Sequence, residues 1–157
     1  MSEPRVAGGG QTWDDQRLRR QRAKRLQEQM RQRNIGAMYL TDVNLQYALC
    51  MKVPGSAAFV PARGDPIAFV RPRDVGWVQR QGVATAPTLY GGSSTWEPGG
   101  EAEFARFGQA IADLMQESGA GALPLGVDTL EAAAFLALQA PGSASSTRVP
   151  PSRWHAP

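Results

Sequence analysis

Hydrolysis, group transfer and metal binding all need acids, bases or soft ligands that converge on one point. This sequence offers one imidazole, His155, one thiol, Cys50, and fourteen carboxylates. One thiol and one histidine cannot fill a zinc site of the usual ligand count, and a single cysteine cannot close an internal disulfide. The carboxylates stand close together in two places, Asp14 with Asp15 and Glu101 with Glu103. Both pairs open predicted helices, where the positive end of the dipole accounts for them without chemistry. Neither Cys50 nor the serines of the 91–100 stretch have a base to activate them. His155, beside Trp154 in an aperiodic Pro- and Ser-rich segment, reads as incidental. No catalytic residue, no metal ligand and no cofactor is assigned to this chain, and no activity is expected from it alone.

The charge pattern suggests a second kind of chemistry. Net charge is +3, but eight of the seventeen Lys and Arg lie between Arg17 and Arg33, against Asp14, Asp15 and Glu28. The basicity therefore belongs to one helix, 14–33, which would suit phosphate contacts with nucleic acid. No zinc finger, basic β-ribbon or aromatic ribonucleoprotein motif accompanies it. A solvated helix face is the preferred reading.

The elements that would position these groups follow from periodicity and punctuation. A chain of 157 residues with 42% apolar content can build one core without staples. Residues 1–12, with Gly8, Gly9 and Gly10, are expected to be a disordered leader. Leu18, Ala23, Leu26 and Met30 make a narrow helical stripe, with Arg and Gln elsewhere. Asn34 suits a left-handed helix end with Ile35 following it. AMYLT, 37–41, predicts a strand buried on both faces, and Asp42 an N-cap for a helix through VNLQYALC. SAAFVPA (56–62) and PIAFVR (66–71) read as a hairpin around Gly64, with Pro61 and Pro66 at strand ends. Asp74 is expected to cap a short helix through Trp77 and Val78 that closes near Gly82.

VATAPTLY, 83–90, offers a further strand, and GGSSTWEPGG, 91–100, a flexible loop in which Trp96 packs onto something. From Glu101 to Ser118, Phe104, Phe107, Ile111, Leu114 and Met115 share one helical face, with Gly119 just beyond. LPLGVD gives a last strand, and Asp128 or Thr129 caps a last helix ending before Pro141. The segment 142–157 is expected to be a disordered Pro/Ser-rich tail. The fold class is α/β, a mixed β-sheet flanked by helices, with the domain at 13–141. No apolar run approaches the ~18 residues of a membrane span. No signal-peptide core opens the chain, so a cytoplasmic location is expected.

The ordered set of a basic helix, NIGAMYLTDVNLQYALC and GSAAFVPARGDPIAFVRPRD, then helix, strand, loop, helix, LGVD and helix, resembles the amino-terminal domain of the creatinase, prolidase and Xaa-Pro aminopeptidase family. Its motif positions here are Ile35, Gly36, Ala37, Asp42, Asn44, Leu45, Tyr47, Gly55, Ser56, Gly64, Asp65, Arg71 and Asp74, within a match over roughly residues 14–140. One departure is visible. Relatives follow the tyrosine with Leu-Thr-Gly and an aromatic, where this chain has Ala48, Leu49, Cys50 and Met51.

The resemblance implies that chemistry resides in a second, pita-bread domain absent from this chain. There, two divalent ions such as manganese are held by two Asp, one His and two Glu. It implies a non-catalytic role in oligomerisation and in covering or completing the active site of a neighbouring subunit. Met51, Lys52 and Val53, and the aromatic Trp96, are the candidate contacts to such a site, with Lys52 offering its cation to a substrate carboxylate. The expected partner is a second copy or a separate catalytic domain, as for a truncated or split family member. The alternatives are a stand-alone interaction module and, last, nucleic-acid binding through 14–33.

Overall fold

The computed structural model describes residues 14–53, 56–87, 100–130 and 132–139. The segments read as leader, loop with Trp96 and tail with Trp154 and His155, together with Gly55, lie outside these residues.

Five strands form one mixed sheet in the order β4-β3-β2-β1-β5. They are β1 (Ala37–Thr41), β2 (Ala57–Pro61), β3 (Ile67–Val70), β4 (Ala84–Pro87) and β5 (Leu125–Val127). β2 runs antiparallel to both β1 and β3, whereas β1 with β5 and β3 with β4 are parallel pairs. Among the described residues five helices accompany them: α1 (Asp15–Gln32), α2 (Asp42–Leu49), α3 (Val75–Arg80, entered through a 3-10 turn at Pro72–Asp74), α4 (Gly100–Glu117) and α5 (Ala132–Gln139).

The period-two alternation of the strands divides the core between two faces. On one, Ala37, Tyr39, Ala57, Phe59, Phe69 and Leu125 meet the stripe Phe104, Phe107, Ile111 and Met115 of α4 and Ala134 and Leu138 of α5. Tyr39 sets its ring against the edge of Phe107 at 5.3 Å. On the other face, Leu40, Ala58, Val60, Ala68 and Val70 meet Leu45, Ala48 and Leu49 of α2 and Val78 of α3. Truncating a side chain as fully buried as Phe107 to Ala would cost about 3–5 kcal/mol. The α4–α5 crossing is tight because Gly108 has no Cβ: one added there would lie 2.7 Å from the Ala137 carbonyl oxygen.

Helix ends agree with the sequence in some places and depart from it in others. Asp14 caps α1, its Oδ1 accepting from the Arg17 amide at 2.9 Å. At the other end Ile35 N–H donates to Met30 O and Asn34 N–H to Arg31 O, with Asn34 at φ 54°, the predicted Schellman end. Asp42, by contrast, caps nothing: the N-cap position of α2 is Thr41, which makes no side-chain capping bond, and Asp42 is an exposed first residue at φ 45°. Asp74 is likewise no side-chain cap. Its carboxylate lies 3.7 Å from both Arg71 Nε and Arg73 Nε, because the preceding 3-10 turn draws those arginines towards it.

The largest departure concerns α1. Of the stripe Leu18, Ala23, Leu26 and Met30, Ala23 and Met30 are buried and Leu26 packs half-buried on the core, but Arg19 and Gln27 are buried beside them. Arg19 Nε and Nη1 donate to the carbonyls of Leu49 and Gln81 at 2.7 and 2.6 Å, the ends of α2 and α3. Gln27 Nε2 donates to Pro61 and Gly64, and Arg31 Nη1 to Ala62, holding the β2–β3 turn. Polar side chains that pattern reading assigned to solvent thus supply the donors for carbonyls of three other elements.

Candidate functional site

β1 and β5 are adjacent and parallel, yet the helices that follow them leave to opposite faces, α2 to the side of α3 and α5 to the side of α4. Such a switch point opens a crevice at the carboxyl ends of the strands, the usual place for ligands in an open α/β sheet. Thr41, Asp42, Asn44 and Asp128 stand there. The Asp128 carboxylate accepts from the Thr41 amide (2.9 Å), the Thr41 hydroxyl (3.2 Å), Asn44 Nδ2 (3.1 Å) and the Thr129 amide (2.6 Å). Four donors use the acceptor sites of a carboxylate, so Asp128 is a clasp between β5 and the start of α2. Its expected role as a cap for α5 gives way to this one. Asp42 remains exposed beside it, and among the described residues no group of three or more His, Cys, Asp or Glu can hold a metal ion. Among the described residues the crevice has neither an imidazole nor a second free carboxylate with which to activate water.

The second candidate region is the C-terminal end of α2 and the loop after it. Arg22 stacks its guanidinium 4.5 Å from the centre of the Tyr47 ring, and its Nη1 donates to the Tyr47 carbonyl at 3.1 Å and to Cys50 Sγ at 3.5 Å. A cation at this end complements the helix dipole. Cys50 sits at φ 53°, in the left-handed region, where the resemblance places a glycine in relatives. The chain therefore keeps a glycine-like backbone turn with a thiol in it. Met51 and Val53 are buried in the core shared with Leu40 and Val78, and Ser56 Oγ hydrogen-bonds to the Val53 carbonyl. Of the three loop residues proposed to meet a partner, Lys52 alone faces solvent. Val43 and Tyr47, 74% and 49% exposed, lie four residues apart on the outer side of the same helix.

Two further motif positions, Gly36 and Gly64, have steric or conformational explanations. Gly36 is steric: a Cβ there would lie 2.7 Å from Leu123 Cβ and 2.8 Å from Ala120 Cβ, and its main chain bonds Pro124 and Ala62. Gly64 takes φ +105° in the hairpin turn, and its carbonyl receives Gln27. Sequence reasoning missed Arg19, Arg22, Gln27 and Arg31 as positioning residues. The available signal was positional: Arg19 and Gln27 fall at i, i+8 around Ala23, on the stripe itself.

No protein-family model matches the sequence, and no curated protein is similar enough in sequence to match it. Solved structures do match in fold, an α/β mixed sheet between two helical layers. An Xaa-Pro dipeptidase from Bacillus anthracis superposes with TM-score 0.56 at 14% identity, over 83% of this chain and 32% of that one. A dipeptidase from Pyrococcus horikoshii does so with TM-score 0.57 at 13% identity, over 83% and 33%. The creatinase/prolidase N-terminal domain of an X-Pro dipeptidase from Streptococcus pyogenes gives TM-score 0.56 at 14% identity, over 83% of this chain and 98% of that one. The chain has the fold of the creatinase/prolidase amino-terminal domain, and it spans about a third of the length of the two full dipeptidases.

Proposed function

We propose that this chain acts as the non-catalytic amino-terminal domain of a metal-dependent, creatinase- or Xaa-Pro peptidase-like hydrolase, building oligomers and covering or completing the active site of a neighbouring catalytic domain. The observation that supports this best is the asymmetry of the fold match. Nearly all of an amino-terminal domain is covered, but only a third of a whole dipeptidase. Two divalent ions, manganese for example, would then belong to the catalytic domain, which works beside this one in the cytoplasm. Lys52, exposed after α2, is the residue of the loop placed to offer a cation to a substrate carboxylate. Trp96 is a second candidate contact.

Size-exclusion chromatography with light scattering on the purified chain is expected to give dimers or larger species. A strictly monomeric, folded protein would count against the assembly role. Incubation with a Xaa-Pro dipeptide and manganese is expected to give no turnover. Turnover abolished by chelator and restored by manganese would overturn the non-catalytic assignment.

A further inference from the structure

We propose that the trough between α1 and the amino ends of β3 and β4 binds a small oxyanion-bearing molecule through Arg20 and Lys24. The inference goes beyond the domain role above and does not depend on it. The trough has a volume of about 510 Å³, within the range of small-molecule sites, which run from roughly 300 to 1,000 Å³. One wall is the row Gln16, Arg20 and Lys24 at successive turns of α1, and the other is main chain from 64–66 and 82–84.

The cations of α1 sort sharply by partner. Arg17 pairs with Asp14, Arg19 and Arg22 bond carbonyls, Arg31 bonds Glu28 and Ala62, and Arg33 bonds Gln29. Arg20, Lys24 and Arg25 have no such partner among the described residues, and of these Arg20 and Lys24 line the trough. Like charges four residues apart repel along a helix, so an anion set between them relieves that repulsion while filling the cavity. Asp65 is the one carboxylate in the lining, exposed and beyond ion-pair distance of either cation. The Gln16 amide, 3.4 Å from where a Cβ on Gly82 would sit, adds a neutral donor at the rim.

Phosphate and carboxylate share this chemistry, so the test runs in two arms, with inorganic pyrophosphate and with citrate, read by amide chemical shifts of the isotope-labelled full chain. Saturable shifts are expected at Gly64, Asp65, Gly82, Val83 and Ala84 with at least one anion, and the arm that saturates names the source. R20Q/K24Q is expected to weaken the apparent Kd at least tenfold, while Arg25→Gln, a cation of the same helix outside the lining, leaves it unchanged. Should the double variant lose its dispersed spectrum, each single variant is read instead, with an expected weakening of at least threefold. Non-saturating shifts, shifts spread along all of α1, or equal weakening by Arg25→Gln would overturn the proposal.

Discussion

Arg19 and Arg20 are neighbours in sequence and opposites in structure, which makes them a test of whether the basic helix is a lace or a ligand surface. Arg19 is 8% exposed, and its guanidinium joins the Leu49 and Gln81 carbonyls, at the ends of α2 and α3. Arg19→Met keeps most of the apolar stem and removes both donors. Hydrogen bonds to charged groups contribute about 1.5–3 kcal/mol each, and the Gln81 bond is only partly buried, so water recovers part of it. The expected loss is about 2–4 kcal/mol, weighted to the buried Leu49 bond. With a urea m-value of about 2 kcal/mol/M, the middle of the range for small proteins, the unfolding midpoint should fall by roughly 1–2 M with m unchanged. Arg19→Lys should recover less than half, since an ammonium does not reproduce the fork that reaches both carbonyls. Arg20→Met, on the exposed side, should stay within about 0.5 kcal/mol. If Arg19→Met matches Arg20→Met in the urea titration, the lacing argument fails.

Gly36→Ala pushes a methyl into Leu123 and Ala120 at the entry to β1, and an overpacking cost of about 1–3 kcal/mol should appear in thermal unfolding; no measurable change would mean that the 120–124 turn yields freely. Cys50→Gly releases a left-handed non-glycine residue, worth about 1–2 kcal/mol, against the entropy of glycine and the lost Arg22 contact. A net gain of up to about 1 kcal/mol in chemical denaturation is expected, and a loss would show that the Arg22–Sγ contact dominates. Hydrogen bonds from Arg31 first and Gln32 second, with the charge of Arg31, hold the Glu28 carboxyl below the usual carboxylate pKa. Its contribution to stability is complete above about pH 4.5 and is lost as pH falls through the lowered value. Carbon-detected titration should place its midpoint below the usual glutamate range, and Glu28→Gln should change stability only slightly, because the carboxylate is exposed.

The hairpin, the β1 boundaries and the α4 stripe were legible because each is written in local chemistry. Turn residues sit at the bend, apolar residues recur at one period, and Asn34 follows the last turn of α1. The connections between elements were not, for a physical reason. Arg19, Gln27 and Arg31 bond to backbone carbonyls, and every residue carries one, so no partner signature exists in the sequence. Asp128 fails as a predicted cap for a related reason. A carboxylate at a strand end serves whichever amides the fold brings near, and the parallel pairing of β5 with β1 brings Thr41 and Asn44, 87 and 84 residues away. Asp42 fails differently: its place before an apolar run suggests a cap, yet Thr41 holds the N-cap position and Asp42 is the exposed first residue of the helix.

Cys50 shows how packing can hold a non-glycine residue in a backbone shape that glycine adopts more easily. The left-handed turn there is enforced from both sides. Upstream, Leu45, Ala48 and Leu49 are sealed against the sheet. Downstream, Met51 and Val53 are buried in the same cluster. Two arginines of α1 close the end of α2 through the Tyr47 and Leu49 carbonyls. Anchors this close on either side leave the intervening residue one route, whatever its side chain, and the strain of a non-glycine residue is small beside the burial it preserves. The conformation that presents Lys52 to solvent is thus a property of the packing around it. Loosening α1, by removing Arg19 or Arg22, should free that loop more than placing glycine at position 50, as read by amide hydrogen exchange of residues 50–53.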